Sequence, residues 1–485
     1  MMKLQFYFIA EEDTYRETIL DVIRIFEPAF QWAAHEQAGE PLRLACGAEE
    51  WTVQIGRQTV CFSVKGLDEN QRRRLLKQQI YLVLCEQGQT QVHPWGIMTG
   101  VRPTKIARRY RERGLSSAAT KQTLQKEYLL SEEKADLLLE VIERQRPFLP
   151  TKQEATQGVS VYLSIPFCPT RCAYCSFPSF CLPKAPLQET YLTNLLSECQ
   201  VIGTWLETHA ISVQTLYIGG GTPTSLSAFQ LERLLEGVQL HFHPDRLAEF
   251  TVEAGRPDTI TSEKLQLLYD FGVGRISINP QSFSQRTLER IGRRHTVQEI
   301  FDVYALAREV GFDSINMDLI TGLPGEQAED FCHSLQQIAR LQPENLTVHT
   351  LAVKRTAALR TMELESQSTV VQEMEQQLQQ WLKGQAYVPY YLYRQKHMIG
   401  DQENVGYCLP GKESLYNIQM MEERQTILGL GVGSTSKFVN PADWTLHQVS
   451  NPKDLYYYNE RIAELIEKKL YWLEQYFSIK NDQIG

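Results

Sequence analysis

The chain has 485 residues, 42% of them hydrophobic and 22% charged, and a net charge of −9. That length holds two or three domains with ample core, and the acidic balance excludes a molecule built to bind phosphate backbones over its whole surface. Ten cysteines in so long a chain do not make a dense disulfide framework, and no run approaches the roughly 18 apolar residues of a membrane span; with no basic-then-apolar leader at its start, the chain is expected in the reducing cytoplasm.

Residues 1–150 read as an amino-terminal α+β accessory domain. Lys3–Ile9 has the pattern of a strand and Tyr15–Phe30 that of an amphipathic helix. Two short strands, Trp51–Ile55 and Thr59–Val64, are joined at Gly56-Arg-Gln. A helix follows from Asp68, its N-cap, to about Gln87, and further helices are expected over Pro103–Arg113, Ser117–Glu127 and Ser131–Arg146. The basic runs Arg72–Arg74 and Lys105–Arg113 invite a nucleic-acid reading, but interleaved acids favour solvated helix faces. Pro94–Pro103 is rich in residues with special backbone preferences, and no role follows from its sequence.

Pro147–Gln157 is polar with two prolines and marks a boundary. Beyond it strand and helix patterns alternate: strands at 159–165, 213–218, 248–253, 274–279, 314–319 and 346–351, helices at 187–208, 227–240, 261–271, 296–311 and 330–341. Near-continuous apolar strands alternating with helices predict an α/β fold with a parallel sheet. Six such units make a partial (β/α)6 barrel over 158–350, with its chemistry at the C-terminal strand ends.

Directly after the first strand comes Cys168-Pro-Thr-Arg-Cys172-Ala-Tyr-Cys175. Three thiolates on one loop can hold three irons of a cubane and leave the fourth open, whereas structural zinc sites and fully ligated clusters normally take four protein ligands. Pro166, Pro169, Phe167, Tyr174 and Phe177 make the loop stiff and dry. The competing readings are apolar fillers, a zinc knuckle with a distant fourth ligand, or a disulfide with a spare thiol.

After the second strand, Gly219-Gly-Gly-Thr-Pro-Thr224 allows a tight turn and brings N–H groups toward a ligand. Glu253 closes the third strand, where a carboxylate suits ribose hydroxyls; the plainer reading is a salt bridge with Arg256. Gln281 ends the fourth strand. Asp318, inside an apolar fifth strand, is costly to bury alone, so it is either a site residue or the partner of an arginine.

These motifs carry a resemblance. The CxxxCxxC loop, with an aromatic before its last cysteine, resembles the radical S-adenosylmethionine (SAM) superfamily. Tyr162, Ile165–Cys168, Gly219–Thr224, Gln281–Phe283, Gly292-Arg293 and Asp318–Pro324 are similar to the coproporphyrinogen III dehydrogenase family, the oxygen-independent oxidases of haem synthesis, over about 158–440. With the amino-terminal module included, the chain resembles the HemZ-type branch.

The resemblance implies a [4Fe–4S] cluster on Cys168, Cys172 and Cys175 that reductively cleaves SAM. The resulting 5′-deoxyadenosyl radical takes a hydrogen from a propionate of coproporphyrinogen III; loss of carbon dioxide and an electron leaves a vinyl group, twice, giving protoporphyrinogen IX. Tyr162, Tyr174, Gly220, Gly221, Thr222, Glu253, Gln281, Arg293, Asp318 and Ala352 fall on the family's SAM contacts. So does Thr435, from the glycine-rich run Leu428–Thr435, whose plainer reading is a close-packed turn. Tyr162 and Asp318 are also carried into the catalytic set. Implied partners are a tetrapyrrole substrate, an electron donor of flavodoxin or ferredoxin type and an unidentified acceptor. Two departures bear on the decarboxylation: Ser164 stands where characterised members have histidine, and Phe177 where they have a fourth cysteine, with Cys181 out of register.

Residues 351–485 are expected to form a mostly helical region covering the active site, with an aromatic-rich helix over Leu455–Phe477. Lys354, Arg355, Arg360 and Tyr390–His397 mix cations with tyrosines, which suits propionates on an apolar macrocycle; ordinary surface charge explains them as well. Two other functions remain: a haem carrier of the same family, with His349, His397, Cys181 or Cys408 as an axial ligand, and a radical enzyme acting on RNA.

Overall fold

In a computed structural model of the chain, residues 6–10, 13–26, 30, 32, 40–87, 93–175, 177–352, 365–395 and 398–478 are described. Chain contacts divide it into two units, Met1–Glu143 with Tyr393–Glu403, and Arg144–Leu392 with Asn404–Gly485.

The first unit begins with β1 (Phe6–Ala10), α1 (Arg16–Phe26), β2 (Glu40–Cys46), β3 (Glu50–Ile55), β4 (Gln58–Ser63) and α2 (Glu69–Glu86). The sheet order is β1-β2-β3-β4, with β1 parallel to β2 and the rest antiparallel. Alternation in β3 turns Trp51, Val53 and Ile55 inward, onto Ile19 and Ile23 of α1 and Leu76 and Ile80 of α2. Asp68 caps α2 in a reciprocal box with Gln71. Strand β2 was not expected; Leu42 and Leu44 alternate correctly, but Pro41 and the short run hide it.

Helices α3 (Pro103–Glu112), α4 (Ser117–Tyr128) and α5 (Glu132–Gln145) follow. Their basic residues are largely paired: Arg111 with Glu143 at 3.0 Å, and Arg74 of α2 with Glu127 at 2.9 Å. Pro94–Pro103 acquires a role here, because it clasps the excursion Tyr393–Glu403. Trp95 Nε1 donates to Glu403 Oε2 at 2.6 Å, Lys134 Nζ meets Glu403 Oε1 at 2.5 Å, and the Arg394 guanidinium lies 4.9 Å from the Trp95 ring centroid. Arg394, read as surface or substrate-facing charge, is therefore a buried structural cation.

The second unit opens with α6 (Lys152–Gln157) and β5 (Gly158–Ile165), then the short strands β6 (Phe167–Cys168) and β7 (Phe180–Cys181), α7 (Ala185–Thr208), β8 (Ser212–Gly220), α8 (Ala228–Phe242), β9 (Glu249–Gly255), α9 (Ser262–Asp270), β10 (Arg275–Ile278), α10 (Gln285–Arg290), α11 (Val297–Val310), β11 (Ile315–Thr321), α12 (Ala328–Leu341) and β12 (Asn345–Thr350). The strands β5, β8, β9, β10, β11 and β12 are parallel neighbours in chain order. This is the expected six-unit partial barrel. The fifth helix pattern starts two residues early and a short α10 was unforeseen.

The remainder is α13 (Glu365–Leu382), β13 (Val388–Tyr393), β14 (Asn404–Cys408), α14 (Leu415–Glu422), β15 (Thr426–Leu430), β16 (Thr435–Asn440), β17 (Thr445–Ser450), α15 (Leu455–Glu460) and α16 (Ile462–Leu473). Beyond the helices expected there, five strands extend the sheet at both ends: β14 runs antiparallel beside β12 with β13 outside it, and β15 runs parallel beside β5, followed by β16 and β17. Strand β15, Thr-Ile-Leu-Gly-Leu, is buried on both faces and so shows no alternation. The aromatic tyrosines of β13 are also interior: Tyr390 OH receives Asn417 Nδ2 at 3.1 Å and Tyr391 OH meets Thr347 Oγ1 at 3.0 Å.

Helix α14 sits at the N-terminal end of the barrel strands. The Glu249 carboxylate, at the start of β9, accepts from Leu415 N at 2.5 Å and Ser414 Oγ at 2.9 Å. Helix α16 packs on α7 and β16. Among the described residues no helix is long and apolar enough to cross a membrane.

Candidate active site

The cysteine loop is built by backbone bonding. Cys168 pairs with Cys181 across β6 and β7, Phe180 N donates to Pro166 O at 2.7 Å, and Leu182 N to Cys168 O at 3.1 Å. On the other side Ala173 N reaches Ile291 O at 3.0 Å and Thr170 Oγ1 reaches Gly292 O at 3.0 Å. The three thiols are half-buried. Burial pushes the Cys168 and Cys175 thiols up, and the neighbouring cysteines add to it. Two guanidiniums oppose this. Arg256 Nη1 is 3.9 Å from Cys172 Sγ and is held by Thr170 O and Asp258, while Arg293 also reaches Cys172.

This donor set suits an iron–sulfur cluster: soft thiolates close enough to feel one another, beside fixed cations that offset negative charge. Among the described residues no three His, Cys, Asp or Glu side chains converge tightly enough for a single metal ion. Arg256, the salt-bridge partner that only the plainer reading gave Glu253, is paired with Asp258 at 3.0 Å.

The end of β8 is pressed against this loop. Gly221 N donates to Ile165 O at 2.8 Å and Thr222 N to Phe167 O at 2.7 Å, while Thr222 Oγ1 lies 3.5 Å from Cys168 Sγ. These N–H groups are spent inside the protein, which corrects the expectation that they face a ligand. Gly220 is held at φ +108°, and a Cβ on Gly221 would stand 2.6 Å from Phe167 O. Replacing Gly221 by alanine is therefore expected to displace the cysteine loop, lowering reconstituted iron content severalfold while far-ultraviolet circular dichroism stays unchanged.

Glu253 faces the same turn. Tyr217 OH donates to its Oε1 at 2.6 Å and Gly220 N to its Oε2 at 3.3 Å. Burial raises its carboxyl from the ordinary 4.5 to about 7, against the pull of the Tyr217 hydrogen bond. The folded chain then holds a proton that the unfolded chain loses, so stability falls as pH rises from about 4.5 to about 7. Relative to the parent, Glu253→Gln is expected to gain stability across that window, by at most about 1.4 kcal/mol per pH unit and no further above it; unfolding midpoints measured across pH check this.

Tyr162, Tyr217 and Tyr416 stack inside the barrel, Tyr217 and Tyr416 with ring centroids 4.4 Å apart and Tyr162 within 6.3 Å of each. Neither Tyr217 nor Tyr416 was singled out from the sequence, nor was Arg275, a buried guanidinium that donates to Asn345 Oδ1 at 2.9 Å. The signal for Arg275 was a charge opening the short strand pattern Arg-Ile-Ser-Ile, all four residues of which are buried.

Asp318 accepts from Asn316 Nδ2 at 2.8 Å and faces His349 Nε2 at 3.7 Å. Burial pushes its carboxyl up, but the hydrogen bonds and charge of His349, Asn316 and Arg275 outweigh it and hold the group below its ordinary value. Its partner is thus mainly an imidazole and an amide rather than an arginine. Gln281, at φ +67°, bridges to Asp318 O through its own N–H at 2.9 Å. Arg293 donates to Asn279 O at 2.5 Å and to Tyr174 OH at 3.2 Å. Gln281 Oε1 and Arg293 Nε are buried without a protein partner, leaving an acceptor and a donor for a polar ligand such as SAM.

Ala352 follows β12. Thr435 opens β16, where its hydroxyl is engaged with Ser450 Oγ at 2.8 Å. Ser164 is buried, and its hydroxyl bonds to Tyr162 and lies 2.9 Å from where a Cβ on Gly220 would stand. Lys354, Arg355, Arg360 and His397 lie outside the described residues.

A partial parallel barrel with three thiols in the loop after its first strand defines a radical SAM protein, and the family model described as the Radical SAM superfamily matches residues 162–338. The chain is 45% identical over 404 residues to the oxygen-independent coproporphyrinogen-III oxidase-like protein HemZ of Bacillus subtilis, covering 82% of this chain and 80% of that one. It is 34% identical over 277 residues to the haem chaperone HemW of the same organism, covering 57% and 70%. The solved coproporphyrinogen III oxidase HemN of Escherichia coli, a radical SAM enzyme, superposes with a TM-score of 0.52 at 25% identity, over 64% of this chain and 72% of that one.

The chain belongs to the radical SAM superfamily and, within it, to the family of HemZ, HemW and HemN. That superfamily uses a [4Fe–4S] cluster and SAM.

Proposed function

We propose that the chain is a radical SAM oxidoreductase that decarboxylates coproporphyrinogen III to protoporphyrinogen IX without oxygen, in the cytoplasm. The observation that carries the reading is the convergence of three thiols, two guanidiniums and the Glu253–Tyr217 pair at the turn after β8. Similarity to HemZ along most of both chains supports the substrate.

Cys168, Cys172 and Cys175 would hold the cluster. Bound together, cluster and SAM supply a hydrogen-abstracting radical. Glu253 and Asp318 would accept hydrogen bonds from hydroxyl or ammonium groups, Gln281 Oε1 would add a third acceptor, and Arg293 with Tyr174 would wall the site beside Cys172. Tyr162, Gly220, Gly221, Thr222, Ala352 and Thr435 complete the proposed set. In this division 158–350 carries the chemistry, 351–485 shapes the substrate side and 1–150 is accessory.

The second reading, a haem chaperone, is favoured by the HemW relationship and by Ser164, which places no imidazole beside the cluster loop. One experiment separates them: anaerobic reconstitution with iron and sulfide, then incubation with SAM, a reductant and coproporphyrinogen III. The expected result is 5′-deoxyadenosine with mono- and divinyl products. Neither product, together with stoichiometric haem binding, would establish the chaperone instead.

A further inference from the structure

We infer that Arg256 is a positioning residue which, clamped by Asp258, aims an N–H at the Cys172 sulfur and raises the reduction potential of the cluster held there. The inference rests on the cluster reading above and concerns a residue outside the motifs that carry the family resemblance. Arg256 follows β9 and is 3% exposed. Its Nε and Nη2 donate to Asp258 Oδ1 and Oδ2, each at 3.0 Å. This bidentate fork fixes the plane of the guanidinium and leaves only Nη1 to reach elsewhere. Nη1 meets Thr170 Oγ1 at 2.8 Å, Thr170 O at 3.0 Å and Cys172 Sγ at 3.9 Å. Thr170 is anchored in turn, its hydroxyl donating to Gly292 O at 3.0 Å. The His295 imidazole, fully buried, also lies 3.9 Å from Asp258. Burial, then the charges of Arg293 and Arg256, pull that imidazole down to about 3 against the attraction of Asp258. It is therefore neutral and does not compete with Arg256 for the carboxylate.

The three thiols are thus not equivalent. Cys168 Sγ meets a neutral hydroxyl, Thr222 Oγ1, at 3.5 Å, and Cys175 meets the backbone of Phe177. Cys172 instead has a fixed guanidinium beside it. An electron added to a cluster increases the negative charge on its sulfurs. A cation with its N–H directed at one of them therefore stabilises the reduced form more than the oxidised form, and the potential rises. Burial strengthens the effect, since little water reaches Arg256 to screen it. The carboxylate of Asp258 lies on the other edge of the guanidinium, where its role is to hold the plane. One electron enters from an external low-potential reductant, and no bond of the chain forms or breaks.

The test is a redox titration of the full chain, reconstituted anaerobically with iron and sulfide and poised with dithionite and mediators. Electron paramagnetic resonance reads the reduced cluster, and iron content and heat-unfolding midpoints are measured on the same samples. Arg256→Met is expected to lower the ratio of reduced to oxidised cluster at a fixed poise by about tenfold, which is about 59 mV for one electron. Arg256→Lys keeps the charge without the fork and is expected to fall between Arg256→Met and the parent. Asp258→Asn is the sharper variant. It removes a negative charge, which by charge counting alone raises the potential, yet it frees the guanidinium to turn from Cys172 and is expected to lower it. Arg294→Met, at an exposed arginine of the neighbouring loop, is expected to leave the potential unchanged. Should Arg256→Met retain no iron, Arg256→Lys and Asp258→Asn decide the matter. A parental potential in the iron-loaded Arg256 variants, or a raised one in Asp258→Asn, would overturn the inference and leave the cluster reading intact. A parent chain that takes up no iron–sulfur cluster would overturn both.

Discussion

Cys172→Ala is expected to yield a folded chain whose reconstituted iron falls to background and which releases no 5′-deoxyadenosine from SAM. The thiol is half-buried in a loop whose shape is set by backbone bonds from Phe180, Leu182 and Ala173, so its loss costs the fold no more than about 1 kcal/mol. What is lost is one of three soft ligands, and the guanidiniums of Arg256 and Arg293 are left facing a gap with no negative charge. The contrast is Cys199 of α7, which is fully buried and held protonated by burial. Cys199→Ala is expected to keep its iron and lose only stability. Elemental analysis and chromatography of the nucleoside check both variants. Zinc in the parent, or equal iron in Cys172→Ala and the parent, would end the cluster account.

Lys469→Met is expected to be the most destabilising single change in the barrel unit. Lys469 Nζ lies 2.6 Å from Glu198 Oε1, and both side chains are essentially inaccessible to water. Glu198 Oε2 also accepts from Tyr458 OH at 2.7 Å and from Gly431 N at 2.8 Å, and Lys469 Nζ donates to Asn451 Oδ1 at 2.6 Å. One carboxylate therefore ties α7, α15, α16 and the turn after β15 together. Removing the cation leaves a buried, uncompensated charge at a cost of about 3–5 kcal/mol, against a typical folding stability of about 5–15 kcal/mol. Lys469→Met/Glu198→Gln is expected to recover most of the loss, because the charge goes with its partner. Heat-unfolding midpoints of the two variants decide it; a double variant no better than the single would show that the cost lies in packing, not charge.

Neither member of that pair was visible beforehand. Glu198 and Lys469 are 271 positions apart, each on a helix whose pattern tolerates a charge. Arg394 misled for the same reason: a charged residue read as surface or substrate-facing is buried once its partner is known. Tyr217 and Tyr416 were likewise silent, since an aromatic at an apolar position looks like ordinary core. By contrast the six strand–helix units, the Asp68 cap and the cysteine spacing are local patterns, and each was legible as written.

The sequence by itself determined the class of this protein. Period-two and period-3.6 patterns encode strands and helices within a few residues, and ligand spacing on one loop encodes what that loop can hold. Tertiary structure alone decided which charges are buried, that the N–H groups of Gly221 and Thr222 serve the cysteine loop, that Asp318 leans on His349, and that β13–β17 extend the sheet. Those depend on contacts between residues far apart in the chain, where burial changes the worth of a charge or a hydrogen bond and no local pattern records it.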